Sequence, residues 1–140
     1  RSNVFPGVIE FLVMLKNKGV GMGICTNKPQ DLAEKVLEEL EIRHFFGEAV
    51  IGGDALTNKK PDPGHLLAVI DKAGGIRENS FMIGDSETDV GAARNANIPI
   101  VVVDFGYTKL QPEELGADKI ISSFFEALAA LTSLGFRFSP

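Results

Sequence analysis

The sequence predicts an α/β fold, Rossmann-like, with a mostly parallel sheet and helices on both faces. Three observations predict it. Apolar residues switch repeatedly between a one-sided helical spacing and short continuous runs. The runs end at Gly or at small polar residues, and a helical pattern follows most of them, which is the alternation of βα units. The residues with chemistry to offer fall directly after a run or directly before a helix. In an open parallel sheet that is the carboxyl edge, where ligands bind.

The elements follow in order. Pro6 to Lys18 carries Val8, Ile9, Phe11, Leu12 and Leu15 at helical spacing, with Pro6 in the first turn and Gly19 as the stop. Val20 to Cys25 is a strand candidate that Gly21 and Gly23 weaken. Pro29 opens a helix through about Leu40, with Leu32, Val36, Leu37 and Leu40 on one face. His44-Phe45-Phe46 marks a packed corner, and Ala49 to Ile51 a short strand closing on Gly52-Gly53. After a polar loop, Asp62 can cap a helix whose first residue is Pro63 and which runs to about Ala73. Phe81 to Ile83 is a strand, Thr88 to Ala96 a helix rich in small residues, and Pro99 to Val103 the most apolar strand. Lys119 to Ile121 is a last strand. Phe124 to Leu134 is a last helix with Phe125, Leu128, Ala129 and Leu131 as inner positions.

Composition bounds the function. The 140 residues, 44% hydrophobic and 24% charged, suit one domain spanning residues 1–140. A net charge of −5 with no basic stripe argues against a nucleic-acid partner, yet a small anion needs only a few local cations. No apolar stretch is long enough for a membrane span, and no signal peptide is visible. The single Cys25 reads as a buried small hydrophobe in a reducing, cytoplasmic setting. The first residue is Arg1, as expected of a chain cut from a longer one.

Three stretches carry the chemistry. Around Ser80–Asp89 an apolar run stops at Gly84 and is followed by Asp85 and Asp89, a way to deliver carboxylates to the sheet edge. Ser86 and Asp89 also fit a capping box, which needs no ligand. Thr26 and Asn27 lie between a strand end and a helix start, where backbone amides favour an anion; equally, either can cap the helix. Lys59-Lys60 precedes Pro61-Asp62-Pro63 and can be solvated surface or a local cation. No dinucleotide fingerprint or Walker-type loop is present.

Taken together and in order, Cys25–Lys28 (C-T-N-K), Lys59–Pro63 (K-K-P-D-P) and Gly84–Asp89 (G-D-S-E-T-D) resemble the haloacid dehalogenase-like hydrolase superfamily. Phe5–Leu12 and Phe105–Tyr107 extend the resemblance over nearly the whole chain, which looks closest to the phosphoglycolate phosphatase branch. The resemblance implies a Mg²⁺-dependent phosphate monoester hydrolase working through an aspartyl-phosphate on a small phosphorylated substrate. It implies that Thr26, with Asn27 beside it, binds a phosphoryl oxygen. Lys60 neutralises the phosphoryl group and the attacking carboxylate, a role with which Lys59 does not align. Asp85 holds the Mg²⁺ and Asp89 supports it directly or through water, as suits a metal with hard oxygen ligands and retained waters.

The departure from the family is the absence of any Asp-x-Asp in the 140 residues. In the family that motif ends a central strand and supplies the nucleophile, and a cap domain follows it. The expectation is therefore a carboxyl-terminal part of the core, inactive alone. The slot between Val20–Cys25 and Phe81–Ile83 would then receive a strand from a missing amino-terminal segment or from another chain. A non-catalytic phosphate- and metal-binding module of the same fold stays open, as does a phosphatase or phosphomutase for another sugar phosphate. A dehalogenase fits the paired acids poorly, and a receiver-like signalling domain shares only the fold class.

Overall fold

The computed structural model describes residues 5–54, 60–104 and 116–138. The expected F-G-Y segment, Lys59 and most of the polar loop before it lie outside the described residues. The elements are α1 (Val8–Asn17), β1 (Ile24–Cys25), α2 (Gln30–Glu39), β2 (Val50–Ile51), α3 (Pro63–Lys72), β3 (Met82–Gly84), α4 (Glu87–Ala96), β4 (Ile100–Val103), β5 (Lys119–Ile121) and α5 (Ala127–Ser133). Among the described residues every strand pairing is parallel. The chain is thus the α/β architecture that the alternation of patterns predicts.

The alternation of side chains along each strand sorts the helices into two layers. Ile100 and Val102 of β4 pack with Leu66 of α3 and with Val90, Ala92, Ala93 and Ala96 of α4. Val101 and Val103 point the other way, onto Phe11 and Leu15 of α1 and Ala127 and Leu131 of α5. Ala33 and Leu37 of α2 cover Val50, with Ile24 alongside, and Leu12 of α1 joins the same cluster. Helices α3 and α4 therefore cover one face, and α1, α2 and α5 the other. Ala92, Ala93 and Ala96 of α4 are buried, which lets that helix lie close to the sheet, while Gly91 is only partly covered.

Among the described residues the strands form two sheets, β1–β2 and β3–β4–β5, with no ladder between β1 and β3. The two sheets nonetheless share their core. Cys25 packs into the cluster that contains Met82, and Val20 and Met22 into the cluster that contains Ile83. Ile24 N–H donates to Ala49 and Thr26 N–H to Ile51, so β1 uses one edge for β2. Met82 N–H donates to Pro99, so β3 likewise uses one edge for β4. The alternate amides, Cys25 on β1 and Ile83 on β3, point to the opposite edges and have no partner among the described residues. Closure of the slot by direct pairing, the outcome expected not to occur, is absent.

Two sequence expectations are corrected. Of the strand expected over Val20–Cys25, only Ile24–Cys25 is in a ladder. Gly23 marks the reason: a Cβ there would sit 2.4 Å from Val69 Cγ1 and 2.9 Å from the Ala49 carbonyl. Close approach of α3 thus shapes this segment more than pairing does. In the last helix, Phe125 and Leu128 are exposed, at 68% and 42%, and so is Ala129. The buried positions are Ala127 and Leu131, with Phe124, Ala130 and Leu134 packed beside them. A 3₁₀ turn over Phe124–Glu126 precedes α5, and its tighter winding rotates the phase that a single α-helix would have.

Candidate active site at the carboxyl edge

Within each sheet the strands run parallel, and contacts from Asn27 to Lys60, from Lys60 to Asp89 and from Asp85 to Asp89 gather the segments that follow β1, β2 and β3. The loop after β1 is fixed by its own backbone. Thr26 N–H donates to the Ile51 carbonyl at 3.3 Å, Lys28 N–H donates to Thr26 Oγ1 at 3.1 Å, and Gly53 N–H donates to the Lys28 carbonyl at 2.7 Å. Asn27 does not cap α2. Its Nδ2 donates to the Lys60 carbonyl at 3.1 Å, joining the first two sequence stretches. The N-cap position of α2 is Pro29, and the free amide of Gln30 is taken at 2.7 Å by the Asp54 carboxylate. Asp54 therefore supplies the anion that the helix terminus favours, and neither sequence reading of Thr26 and Asn27 as a cap or as a helix-terminus anion site holds for that amide.

Lys60 reaches the site as a buried cation. Its side chain is 10% exposed, and Nζ pairs with Asp89 Oδ1, the Asp89 side chain being 8% exposed. The other Asp89 oxygen accepts the Asp85 N–H at 3.0 Å. Ser86 is the N-cap of α4, its Oγ accepting the Asp89 N–H at 3.3 Å. Only half of the expected capping box forms: Ser86 Oγ takes the Asp89 amide, while the Asp89 carboxylate turns to Lys60 and to the Asp85 N–H. On α3, Asp62 caps as expected, accepting the Gly64 N–H at 2.8 Å. Asn95 of α4 donates to the Pro61 carbonyl at 3.0 Å, so α4 also braces the lysine loop.

Burial, and then the Asp89 carboxylate beside it, push the Asp85 carboxyl above the ordinary aspartate range. Lys60 opposes this without cancelling it. Two crowded carboxylates sharing one lysine form a place for a further cation. Among the described residues no group of three or more His, Cys, Asp or Glu side chains gathers. Asp85 and Asp89 offer two carboxylates, a set that would suit a Mg²⁺ keeping water and phosphate oxygens for its other positions. Cys25, just behind Thr26, is held protonated by burial, its pKa pushed up to about 12, so it contributes packing and no nucleophile.

Gly84 makes the crowding feasible. A Cβ at this position would lie 2.6 Å from both Cβ and Oδ2 of Asp89. Gly84→Ala is expected to displace the Asp89 carboxylate from the Asp85 amide and to cost about 1–3 kcal/mol. Urea denaturation checks this, and a variant as stable as the wild type would mean that Asp89 moves away freely.

The structure thus links Thr26, Asn27, Lys60, Asp85 and Asp89 by short hydrogen-bonded steps at one edge. Sequence reasoning missed His65, Asp54 and Gln30. His65 is fully buried, with Nε2 2.9 Å from the Ile51 carbonyl and Nδ1 accepting the Lys60 N–H at 3.1 Å. Its only signal was a position one turn before Val69 on the buried face of α3. A separate groove of about 370 Å³, lined by Lys16, Met22, Phe45, Glu48 and Lys72 among others, lies at the amino end of β1, away from this edge.

A fold with parallel strands, a lysine before a proline-rich turn and paired acids after a strand defines a class, and comparison with known proteins identifies it. Residues 1–103 match the haloacid dehalogenase-like hydrolase family, to which the chain belongs. It is 44% identical over 136 residues to a phosphoglycolate phosphatase of Agrobacterium fabrum, covering 97% of this chain and 56% of that protein. Among solved structures, a predicted phosphoglycolate phosphatase from Haemophilus somnus superposes with a TM-score of 0.83 at 30% identity, over 91% of this chain and 56% of that one. CbbY from Rhodobacter sphaeroides in complex with phosphate superposes with a TM-score of 0.80 at 25% identity, over 93% and 59%. The chain spans about half the length of the curated relatives it matches.

Proposed function

We propose that this chain is the phosphate- and metal-holding part of a phosphate monoester hydrolase whose favoured substrate is phosphoglycolate. The observation that carries the reading is the buried Lys60–Asp89 pair with Asp85 crowded beside it. Lys60 would neutralise phosphoryl oxygens, Thr26 and Asn27 would hold one of them, and Asp85 and Asp89 would hold Mg²⁺. Bound Mg²⁺ would add charge neutralisation, on which phosphoryl transfer largely depends. The reacting carboxylate, which would form the aspartyl-phosphate, comes from outside these residues, on a strand that enters the slot between β1 and β3. The relatives named as phosphoglycolate phosphatases and the phosphate held by CbbY support this reading. A reducing, cytoplasmic setting suits the half-buried free thiol of Cys25.

The pure chain is expected to hydrolyse no phosphoglycolate. Adding the amino-terminal part of the Agrobacterium relative, which is expected to carry Asp-x-Asp, restores turnover if the enzyme reading is right. Phosphate binding without turnover in that mixture favours the non-catalytic module, which the lack of Asp-x-Asp in the 140 residues also suits. Turnover by the chain alone would place the nucleophile within it.

Asp85 allows a test of the metal role through stability. Its raised pKa means that the fold prefers the protonated form. That contribution is full below the ordinary aspartate range and is lost as pH rises through the raised value. At pH 7 without metal, Asp85→Asn is therefore expected to raise Tm by about 3 °C, the screened repulsion being worth about 1 kcal/mol. Mg²⁺ is expected to raise the wild-type Tm and to leave the variant unchanged. A variant that melts lower without metal, or gains equally from Mg²⁺, contradicts the assignment.

A further inference from the structure

We propose that His65 is a positioning residue for Lys60, resting on the phosphate-site reading above. The imidazole lies wholly inside the protein and bridges two backbone groups. Nδ1 accepts the Lys60 N–H at 3.1 Å, and Nε2 lies 2.9 Å from the Ile51 carbonyl. An amide can only donate and a carbonyl can only accept. The ring is therefore the neutral tautomer with its proton on Nε2. The same Ile51 oxygen receives the Thr26 N–H at 3.3 Å. One carbonyl at the end of β2 thereby sets both Thr26 and, through the ring, the peptide of Lys60.

The remaining contacts of the lysine loop leave that peptide dependent on the ring. Asn27 holds the Lys60 carbonyl and Asn95 the Pro61 carbonyl, while His65 holds the Lys60 amide. The Lys60 side chain then runs to Asp89. Removing the imidazole leaves a part-buried amide without its acceptor and lets the lysine stem shift away from Thr26. His65 touches no candidate phosphate or metal ligand with a charged atom, so its effect is confined to placement. Gln is the conservative replacement, because its amide N–H and carbonyl oxygen reproduce one donor and one acceptor at a separation close to that of the two ring nitrogens.

Long-range ¹H–¹⁵N spectra of the full chain at pH 7.5 read the tautomer without any variant. The expected signature is a protonated Nε2 and an unprotonated, hydrogen-bonded Nδ1; a proton on Nδ1 overturns the proposal. Calorimetric titration with inorganic phosphate in the presence of Mg²⁺ reads the consequence. His65→Leu is expected to weaken phosphate binding about tenfold, the effect of one buried hydrogen bond left unmade. His65→Gln is expected to stay within about twofold of the wild type. Binding that needs Thr26 and Asp85 but ignores His65→Leu overturns the positioning role alone. Binding that ignores Thr26→Val and Asp85→Asn sinks the phosphate-site reading instead. Should His65→Leu fail to fold, the tautomer and the His65→Gln affinity still decide, since a tenfold loss in His65→Gln with the tautomer reversed contradicts the bridge.

Discussion

Lys60→Met is expected to cost the chain about 3–5 kcal/mol, a large share of the roughly 5–15 kcal/mol that holds a domain of this size together. The lysine and Asp89 side chains are only 10% and 8% exposed, so neither charge has water to fall back on. Removing the cation leaves Asp89 buried and unpaired, with the Asp85 carboxyl already strained by the same neighbour. Two features make the prediction specific. Adding Asp89→Asn to Lys60→Met is expected to return much of the loss, because contacting charges couple. Mg²⁺ is expected to stabilise Lys60→Met more than the wild type, as a replacement counter-charge. Urea unfolding of the four members of the cycle measures the coupling. A Lys60→Met variant within about 1 kcal/mol of wild type would mean that the ion pair is solvated, on the scale of a surface pair.

The second large effect concerns the slot between the two sheets. The amides of Cys25 and Ile83 lie between packed layers yet have no partner among the described residues. Unpaired, they are expected to exchange with solvent far faster than the amides of the central strand β4, which pairs on both sides. An apolar strand entering in parallel would bond both edges at once. Adjacent strands lie about 4.8 Å apart, so one strand bridges a gap of about twice that spacing. A peptide taken from the amino-terminal strand of the Agrobacterium relative is expected to slow exchange at Cys25 and Ile83 by about 100-fold at saturation and to raise Tm. Exchange at both amides as slow as in β4 without peptide would mean that the slot is closed.

Local signals made much of this molecule legible. Asp62 before Pro63 capped α3, the run Phe81–Ile83 delivered Asp85, and the small residues of α4 announced close packing, each within one turn of chain. The stretches that carry the site were legible for the same reason, since strand ends and helix starts mark themselves. What stayed hidden depends on distant partners. Asp54 caps a helix that begins 24 residues earlier in the chain, and nothing near Gln30 announces it. His65 sits on an apolar helical face and so reads as core, although its ring nitrogens serve two other elements. The glycine at 23 reads as a weak strand residue, whereas the approach of α3 requires it. The inner face of α5 turned on a 3₁₀ start that the spacing alone does not separate from an α-helix.

In the proposed function, residues from three separate stretches make one phosphate site at the carboxyl edge. Titration of the ¹⁵N-labelled chain with inorganic phosphate in the presence of Mg²⁺ tests it most directly, with amide shifts followed residue by residue. Saturable shifts are expected, confined to the turns around Thr26–Lys28, Lys60 and Asp85–Thr88. Shifts that cluster instead around Lys16 and Lys72, at the amino end of β1, would contradict it.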